Sequence, residues 1–434
     1  MPPAALASLT TPAAAVDAKA PAFFDGVTLA PADPILGVNE AYQADEHPGK
    51  ISLGVGAYRT DQCLPYVLPV VKRVEQQIWD DPKTNHEYLP IDGLPAFQRL
   101  ASTLIFGQSS EAISDGRVVT VQTLSGSGAL RVGLTFIARF YADAPSLPRV
   151  YIPSPTWNNH RDIVPDAGLG DARTFRYLHA TSGGVDMAGL LADLADAPAG
   201  SIIILHGCAH NPTGADPTLA EWADILSIVR ERRLIPFFDV AYQGFASGDL
   251  DVDAASVRLF ADAGIDMMLS QSFAKNMGLY GQRIGSLSVV LSKRTTDVPV
   301  TATAVRSQLK AVIRPMYSSP PAHGARIVAG VLGNPTNFRA WQEELAGMAQ
   351  RIGDMRTALK AALDANGAPG DWSRIIKQRG MFSYTGLSEA QVAYLRTAHH
   401  IYMTSDGRVS MAGLTSSTVQ RVADAIKDAV LTSS

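Results

Sequence analysis

The stretch 270–285, SQSFAKNMGLYGQRIG, holds the residues of this chain best suited to covalent chemistry. Lys275 leaves a strand-like run in a loop that follows Ser270 and Ser272, and Arg283 comes shortly after. A lysine amine condenses with an aldehyde only when unprotonated, and burial in a cationic pocket lowers its pKa enough to supply that form. The Ser272 hydroxyl and the Arg283 fork could hold the dianionic phosphate of the same aldehyde cofactor. A loop lysine alone is ordinarily a solvated side chain, so the neighbours must decide.

The elements that would position this loop are strands alternating with helices. Short apolar strands are expected at 118–124, 150–152, 201–206, 235–240, 267–272 and 286–291. Ile202, Ile203, Ile204 and Leu205 are apolar without alternation, as when helices cover both faces of a sheet. A helix starting near Gly128 carries Leu130, Leu134, Ile137, Ala138 and Tyr141 on one stripe. Asp216 and Pro217 read as a cap and first-turn proline of another, running to about Arg233. The alternation implies an α/β fold with a mainly parallel sheet. After about residue 340 the pattern changes to long helices, 341–366 and 416–430, with strand-like segments between, and a continuous helix near 325–350 is expected to lead into them. The expected division is an N-terminal tail at 1–30, a large domain at 67–340, and a smaller α+β domain made of 31–66 and 341–434.

Composition narrows the function. The 434 residues suffice for two or three cores, and 46% hydrophobic with 18% charged residues describes a globular chain. Thirty-seven basic against 41 acidic residues give a net charge of −4, which argues against nucleic acid or an anionic membrane as partner. Cys63 and Cys208 stand far apart, so neither a disulfide framework nor a zinc site is expected. His206 and His210 flank Cys208 on a strand running into a turn, which fits no usual ligand spacing, and no metal is expected. No apolar run approaches a bilayer's thickness. The first 20 residues are rich in Ala and Pro, with Lys19 their only base, unlike an Arg- and Ser-rich transit peptide. A cytoplasmic location is expected, with mitochondrion or plastid as the alternative.

Motifs along the chain sharpen this. ADPILGV, LGVGAYRTDQ, EYLPIDG, QTLSGSGALR, SPTWNNH, HGCAHNPTG, FFDVAYQGF, SFAKNMGLYGQR, YSSPPAHGARIV, GMFSYTGL and DGRVSMAGL follow one another from Ala32 nearly to the C-terminus. In content and order they resemble the class I aminotransferases that use pyridoxal 5′-phosphate, in particular the aspartate aminotransferases of eukaryotic type. The resemblance implies fold-type I, with a seven-stranded sheet in the large domain. It also implies ping-pong transamination between L-aspartate and 2-oxoglutarate, giving oxaloacetate and L-glutamate.

By the same resemblance, Lys275 is the lysine that forms the Schiff base with the cofactor and then carries the proton. Asp239 pairs with the pyridinium nitrogen, which keeps the ring an electron sink. Tyr242 and Asn211 hydrogen-bond the phenolic oxygen. Ser125, Gly126, Ser127, Ser272 and Arg283 bind the phosphate, partly through a helix N-terminus. Trp157 stacks on the ring, and His160 orients Asp239. Arg408 grips the substrate α-carboxylate as a bidentate fork. Arg314 is supplied by a neighbouring subunit to the distal carboxylate, and Tyr88 reaches the partner's phosphate site, so a homodimer with shared sites is implied. Val55 and Gly56 line the mouth of the site, where Tyr384 also lies.

Ser127, Ala274, Ser410 and Arg379 depart from the family's commoner residues. The first three leave the groups needed for the reaction in place, and Arg379 has no physical account from sequence. Three rivals remain: a relative preferring aromatic amino acids, a lyase or decarboxylase using the same cofactor, and a non-catalytic binding protein on this scaffold.

Overall fold

The run Ile202, Ile203, Ile204 and Leu205 lies inside the sheet that organises the molecule, and each of its side chains is essentially inaccessible. Ile202 and Ile204 point into one apolar cluster, with Val121, Leu130, Phe237, Leu287 and Ile313. Ile203 and Leu205 point into the other, with Phe238, Leu269, Ile284 and Trp341. Alternate residues thus meet a core on each face, which is why the run shows no polar alternation.

The computed structural model describes residues 22–30, 36–140 and 147–432. Most of the expected tail, part of ADPILGV, and Tyr141 of the first helical stripe lie outside the described residues. Residues 22–30 belong to a separate unit, 1–33, and contain a turn in which Ala22 N donates to the Asp25 carboxylate at 2.9 Å.

In the second unit, 34–434, the strands are β1 Ile51–Ser52, β2 Val118–Leu124, β3 Val150–Ser154, β4 Arg173–Arg176, β5 Ile202–His206, β6 Ile235–Val240, β7 Met267–Ser272, β8 Ile284–Val290, β9 Phe382–Tyr384, β10 Ile401–Tyr402 and β11 Arg408–Ser410. The seven-stranded sheet runs β2-β8-β7-β6-β5-β3-β4. It is parallel except at β8, which is antiparallel to both neighbours. The expected strands are present with ends shifted by two residues or fewer. The strand not anticipated is β4, an edge strand of sequence RTFR with only Phe175 buried.

Register decides what the sheet presents. His206 of β5 lies opposite Asp239 of β6, and Asp239 opposite Ser270 of β7. Ser272 and Thr123 both face Gly285 of β8. The polar ends of the strands therefore stand in a row at one edge, where sheets of this kind bind ligands.

Two small sheets hold the remaining pieces, β1 parallel to β10 and β9 antiparallel to β11. Leu53 joins them: its N–H donates to the Tyr402 carbonyl at 2.7 Å and its carbonyl accepts from Ser410 N at 2.7 Å.

The helix expected from near Gly128 begins at Ser125, and that expected at 416–430 spans Val419–Thr432; two other helix expectations differ more. The helix after HGCAHNPTG spans Leu219–Glu231 and is capped by Thr218 in a reciprocal pair with Glu221. Asp216 instead turns inward to accept from Ala209 N at 2.7 Å and His210 N at 2.9 Å. The expected continuous helix near 325–350 is two helices, Ala322–Leu332 and Pro335–Asn366. Asn334 caps the second through Thr336 N and Asn337 N, and Pro335 cannot donate back into the first.

Candidate active site

β2 passes into the helix Ser125–Phe140 without a linker. Ser125 takes a left-handed φ of 61°, which turns the chain sharply and leaves the first-turn N–H groups of Gly126 and Ser127 unused by the helix. The turn packs directly on β8. A Cβ on Gly285 would stand 2.4 Å from the Gln271 carbonyl oxygen and 2.7 Å from the Ser125 carbonyl carbon, so that position must be glycine. Ser125 Oγ and Ser272 Oγ meet at 2.8 Å, closing a hydroxyl pair beside the helix N-terminus.

Beyond β7, Phe273 and Ala274 are buried and Lys275 enters a cavity of about 160 Å³. The loop is pinned by Asn276, whose amide donates to Gln243 O at 3.2 Å and whose carbonyl accepts from Trp341 Nε1 at 2.7 Å. Lys275 Nζ lies 5.2 Å from the Tyr242 ring centroid. Burial lowers the amine's pKa, the Arg283 charge lowers it further, and Asp239 opposes both. Burial likewise raises the Tyr242 phenol, against the pull of Arg408 and Asn211.

Asp239, at the end of β6, is buried, which alone would favour its protonated form. The hydrogen bond from His160, with the charge of Lys275, outweighs that and holds its pKa below the usual carboxylate value. His160 Nε2 lies 3.2 Å from Asp239 Oδ2. The Thr156 hydroxyl bridges His160 Nδ1 at 2.8 Å and His206 Nε2 at 3.0 Å, and Asn211 N reaches His206 Nδ1 at 3.5 Å. The tautomers that satisfy every atom run one way, each donor pointing toward Asp239. Burial first, then the His160 charge, lowers the His206 pKa to about 3, so His206 stays neutral within the chain.

On the opposite wall, Arg408 of β11 is 3% exposed. It donates through Nη1 to Asn211 Oδ1 at 3.2 Å and through Nη2 to Gly54 O at 2.7 Å. Its guanidinium carbon lies 4.2 Å from the Phe382 ring centroid, and Nε has no protein partner. One cavity thus gathers Gly56, Ser125, Gly126, Ser127, Trp157, Asn211, Asp239, Tyr242, Ser272, Lys275, Arg283 and Arg408. An amine that can attack a carbonyl, a carboxylate suited to a protonated ring nitrogen, a phosphate cradle and a buried carboxylate fork face the same space.

The model of the family "Aminotransferase class I and II" matches residues 48–426. The chain belongs to this family. A cytoplasmic aspartate aminotransferase of Oryza sativa subsp. japonica is 54% identical over 407 residues, 94% of this chain and 98% of that one. The aspartate aminotransferase from Saccharomyces cerevisiae cytoplasm superposes with a TM-score of 0.91 at 42% identity, over 94% of this chain and 98% of that one. An aromatic-amino-acid aminotransferase from Burkholderia pseudomallei, covalently bound to pyridoxal phosphate, does so with 0.89 at 43%, over 94% and 99%.

In this aminotransferase two expected site residues stand away from the cavity. Tyr88 is 82% exposed and lines a separate groove with Trp79 and His323. Arg314 is exposed in the last turn of the helix Val298–Tyr317, where it donates to Ser318 Oγ. His160 sits behind Asp239, and Val55 and Tyr384 are half-buried. Sequence reasoning missed Phe382, which GMFSY contained, and His206, weighed there only as a metal ligand; both line the cavity. Among the described residues no cluster of three or more His, Cys, Asp or Glu is arranged to hold a metal ion, and no helix is long and apolar enough to cross a membrane.

Proposed function

We propose that this aminotransferase exchanges the amino group of L-aspartate with 2-oxoglutarate, giving oxaloacetate and L-glutamate, with pyridoxal 5′-phosphate held by Lys275. The observation that carries the reading is that Arg408, buried with a spare Nε donor, faces the same cavity as Lys275 and Asp239. The residues present fit the cofactor. Gly126 and Ser127 N–H groups, the Ser125–Ser272 hydroxyl pair and Arg283 would take its phosphate, Trp157 would cover the ring, and Asp239 would hold the proton on the ring nitrogen. When bound, the cofactor supplies an electron sink for the carbanion left at the substrate Cα.

The chain's own residues do the rest. Lys275 provides the covalent tether and, once displaced by substrate, the amine that moves the proton from Cα. Tyr242 and Asn211 hold the phenolic oxygen, and Arg408 takes the α-carboxylate as a fork. Arg314 and Tyr88, both exposed, would serve the site of a second copy, which makes the working unit a homodimer. The halves of the site come from different parts of the chain, 51–56 and 408 against 125–283. That supports the division into a large domain at 67–340 and a smaller one made of 31–66 and 341–434. The cytoplasmic wording of the rice relative supports the same compartment here; organelle uptake of a fusion carrying the first 30 residues would contradict it.

The test is turnover of aspartate with 2-oxoglutarate by the purified protein, with borohydride trapping to locate the cofactor. A reduced pyridoxyl adduct at Lys275 and oxaloacetate as product are expected. A second reading, preference for aromatic amino acids, draws on the Burkholderia relative and on the ring-lined wall of Trp157, Tyr242 and Phe382. Arg314→Asp separates them: it should abolish aspartate turnover and spare phenylalanine, and aspartate turnover that survives it refutes the distal-carboxylate role.

A further inference from the structure

Arg356, on the helix Pro335–Asn366, is a buried cation that lines no part of the reaction cavity. Among the described residues no carboxylate pairs with it. Nη1 donates to Ile375 O at 2.8 Å, and Nη2 donates to Gly380 O at 2.7 Å and to Phe382 O. Burial lowers its pKa to about 9, against the charge of Asp216. Burying a guanidinium against carbonyls alone is unfavourable compared with an apolar side chain of the same size. The three carbonyls share one segment, 375–382, and the last belongs to the residue whose ring lies under Arg408.

That ring has little freedom. Arg408 lies 4.2 Å over it, and Tyr242 meets it edge-on at 6.0 Å. A Cβ on Gly56 would come within 2.7 Å of Phe382 Cζ. The same segment braces the turn that carries Asn211, since Arg379 N donates to Gly214 O at 2.7 Å. A Cβ on Gly214 would stand 2.8 Å from both Arg379 O and Phe382 O. Asn211 Oδ1 in turn accepts from Arg408. The segment therefore reaches the fork by two routes, through the Phe382 ring and through Asn211.

The geometry points to Arg356 as a positioning residue for substrate: by gathering the 375–382 carbonyls it sets the Phe382 platform under Arg408 and so sets how tightly the α-carboxylate is gripped. This rests on the role proposed for Arg408. The role belongs to affinity and orientation, because Arg356 touches neither substrate nor cofactor.

The test compares holoenzyme variants Arg356→Met, Arg356→Lys, Phe382→Leu, the Met/Leu double variant, and Arg408→Leu. Each is measured for the Kd of succinate, a dicarboxylate of aspartate's length without the amine, and for KM and kcat with aspartate. Arg356→Met should raise Kd and KM about tenfold and change kcat far less, as misplacement of a binding group does. Arg356→Lys should recover only part of the loss, leaving Kd raised about three- to fivefold, and the Arg356→Met and Phe382→Leu effects should not add in the double variant. A succinate Kd within twofold of the unaltered enzyme, or fully additive effects, overturns the proposal. If Arg356→Met yields no folded protein, Arg356→Lys decides: a Kd raised roughly threefold or more supports the proposal and a smaller change overturns it, since an ammonium cannot reach all three carbonyls. Arg408→Leu separates the two failures. If it leaves succinate binding intact, the fork reading itself is wrong; if it abolishes binding while Arg356→Met does not, only the positioning inference falls.

Discussion

Replacing His160 by leucine tests the electrostatics of the site most directly. The histidine touches the proposed ring-nitrogen partner, Asp239, at 3.2 Å, and Asp239 is buried. A hydrogen bond to a charged group contributes about 1.5–3 kcal/mol, and at this length the lower half, roughly 1.5–2 kcal/mol, is the reasonable share. If that stabilisation is expressed in the transition state, kcat/KM for aspartate should fall about 10- to 30-fold. The variant has a second signature, in pH. The Asp239 pKa is depressed in the folded protein, so its carboxylate persists until the pH drops through that depressed value. With His160 gone, burial still favours protonation and its main opponent is missing. The acid limb of the kcat/KM profile must therefore begin at a higher pH. A coupled assay for oxaloacetate across the acid range reads both quantities. A kcat/KM within twofold of the parent, with an unmoved acid limb, would refute the claim that His160 holds Asp239 ionised.

Gly285→Ala should lower pyridoxal phosphate affinity and the thermal midpoint together, because a methyl there meets backbone on two sides; cofactor titration and a melting curve check this. Ile204→Ala removes a fully buried side chain from the face packed on Phe237, and should cost about 2–5 kcal/mol in denaturant unfolding while leaving kcat nearly unchanged. Asp45 accepts from His47 N, Tyr402 Oη and His400, which depress its pKa, so its contribution to stability is present above the ordinary carboxylate pKa and disappears as pH falls. Asp45→Asn should accordingly melt earlier than the parent at neutral pH and converge with it in acid; a gap that persists in acid would contradict this.

The interior of the large sheet was legible from composition because its strands are buried on both faces, and continuous apolar runs leave little choice. β4 was not, since an RTFR edge strand owes its place to Tyr151, Ile152, Pro153 and Ser154 across the ladder and to no pattern of its own. Asp216 looked like a cap because Asp before Pro often is one. Its actual partners, Ala209 N and His210 N, became visible only once the turn folded back on it. Lys275 was marked by its loop chemistry, but the roles of Asp239, Tyr242 and Arg408 came from family resemblance. Phe382 and Arg356 carry no local signal, since one is an ordinary core aromatic and the other an ordinary helical arginine until segment 375–382 wraps between them.

Leu53 bonds through its backbone to both Tyr402 and Ser410, and Gly54 accepts from Arg408 itself. The proposed catch for the substrate and the 53–54 segment beside it are therefore tied into one piece. On the role proposed for Arg408, any shift of that piece against the lysine-bearing strand would move the grip and the adjoining wall at Gly56 by the same stroke.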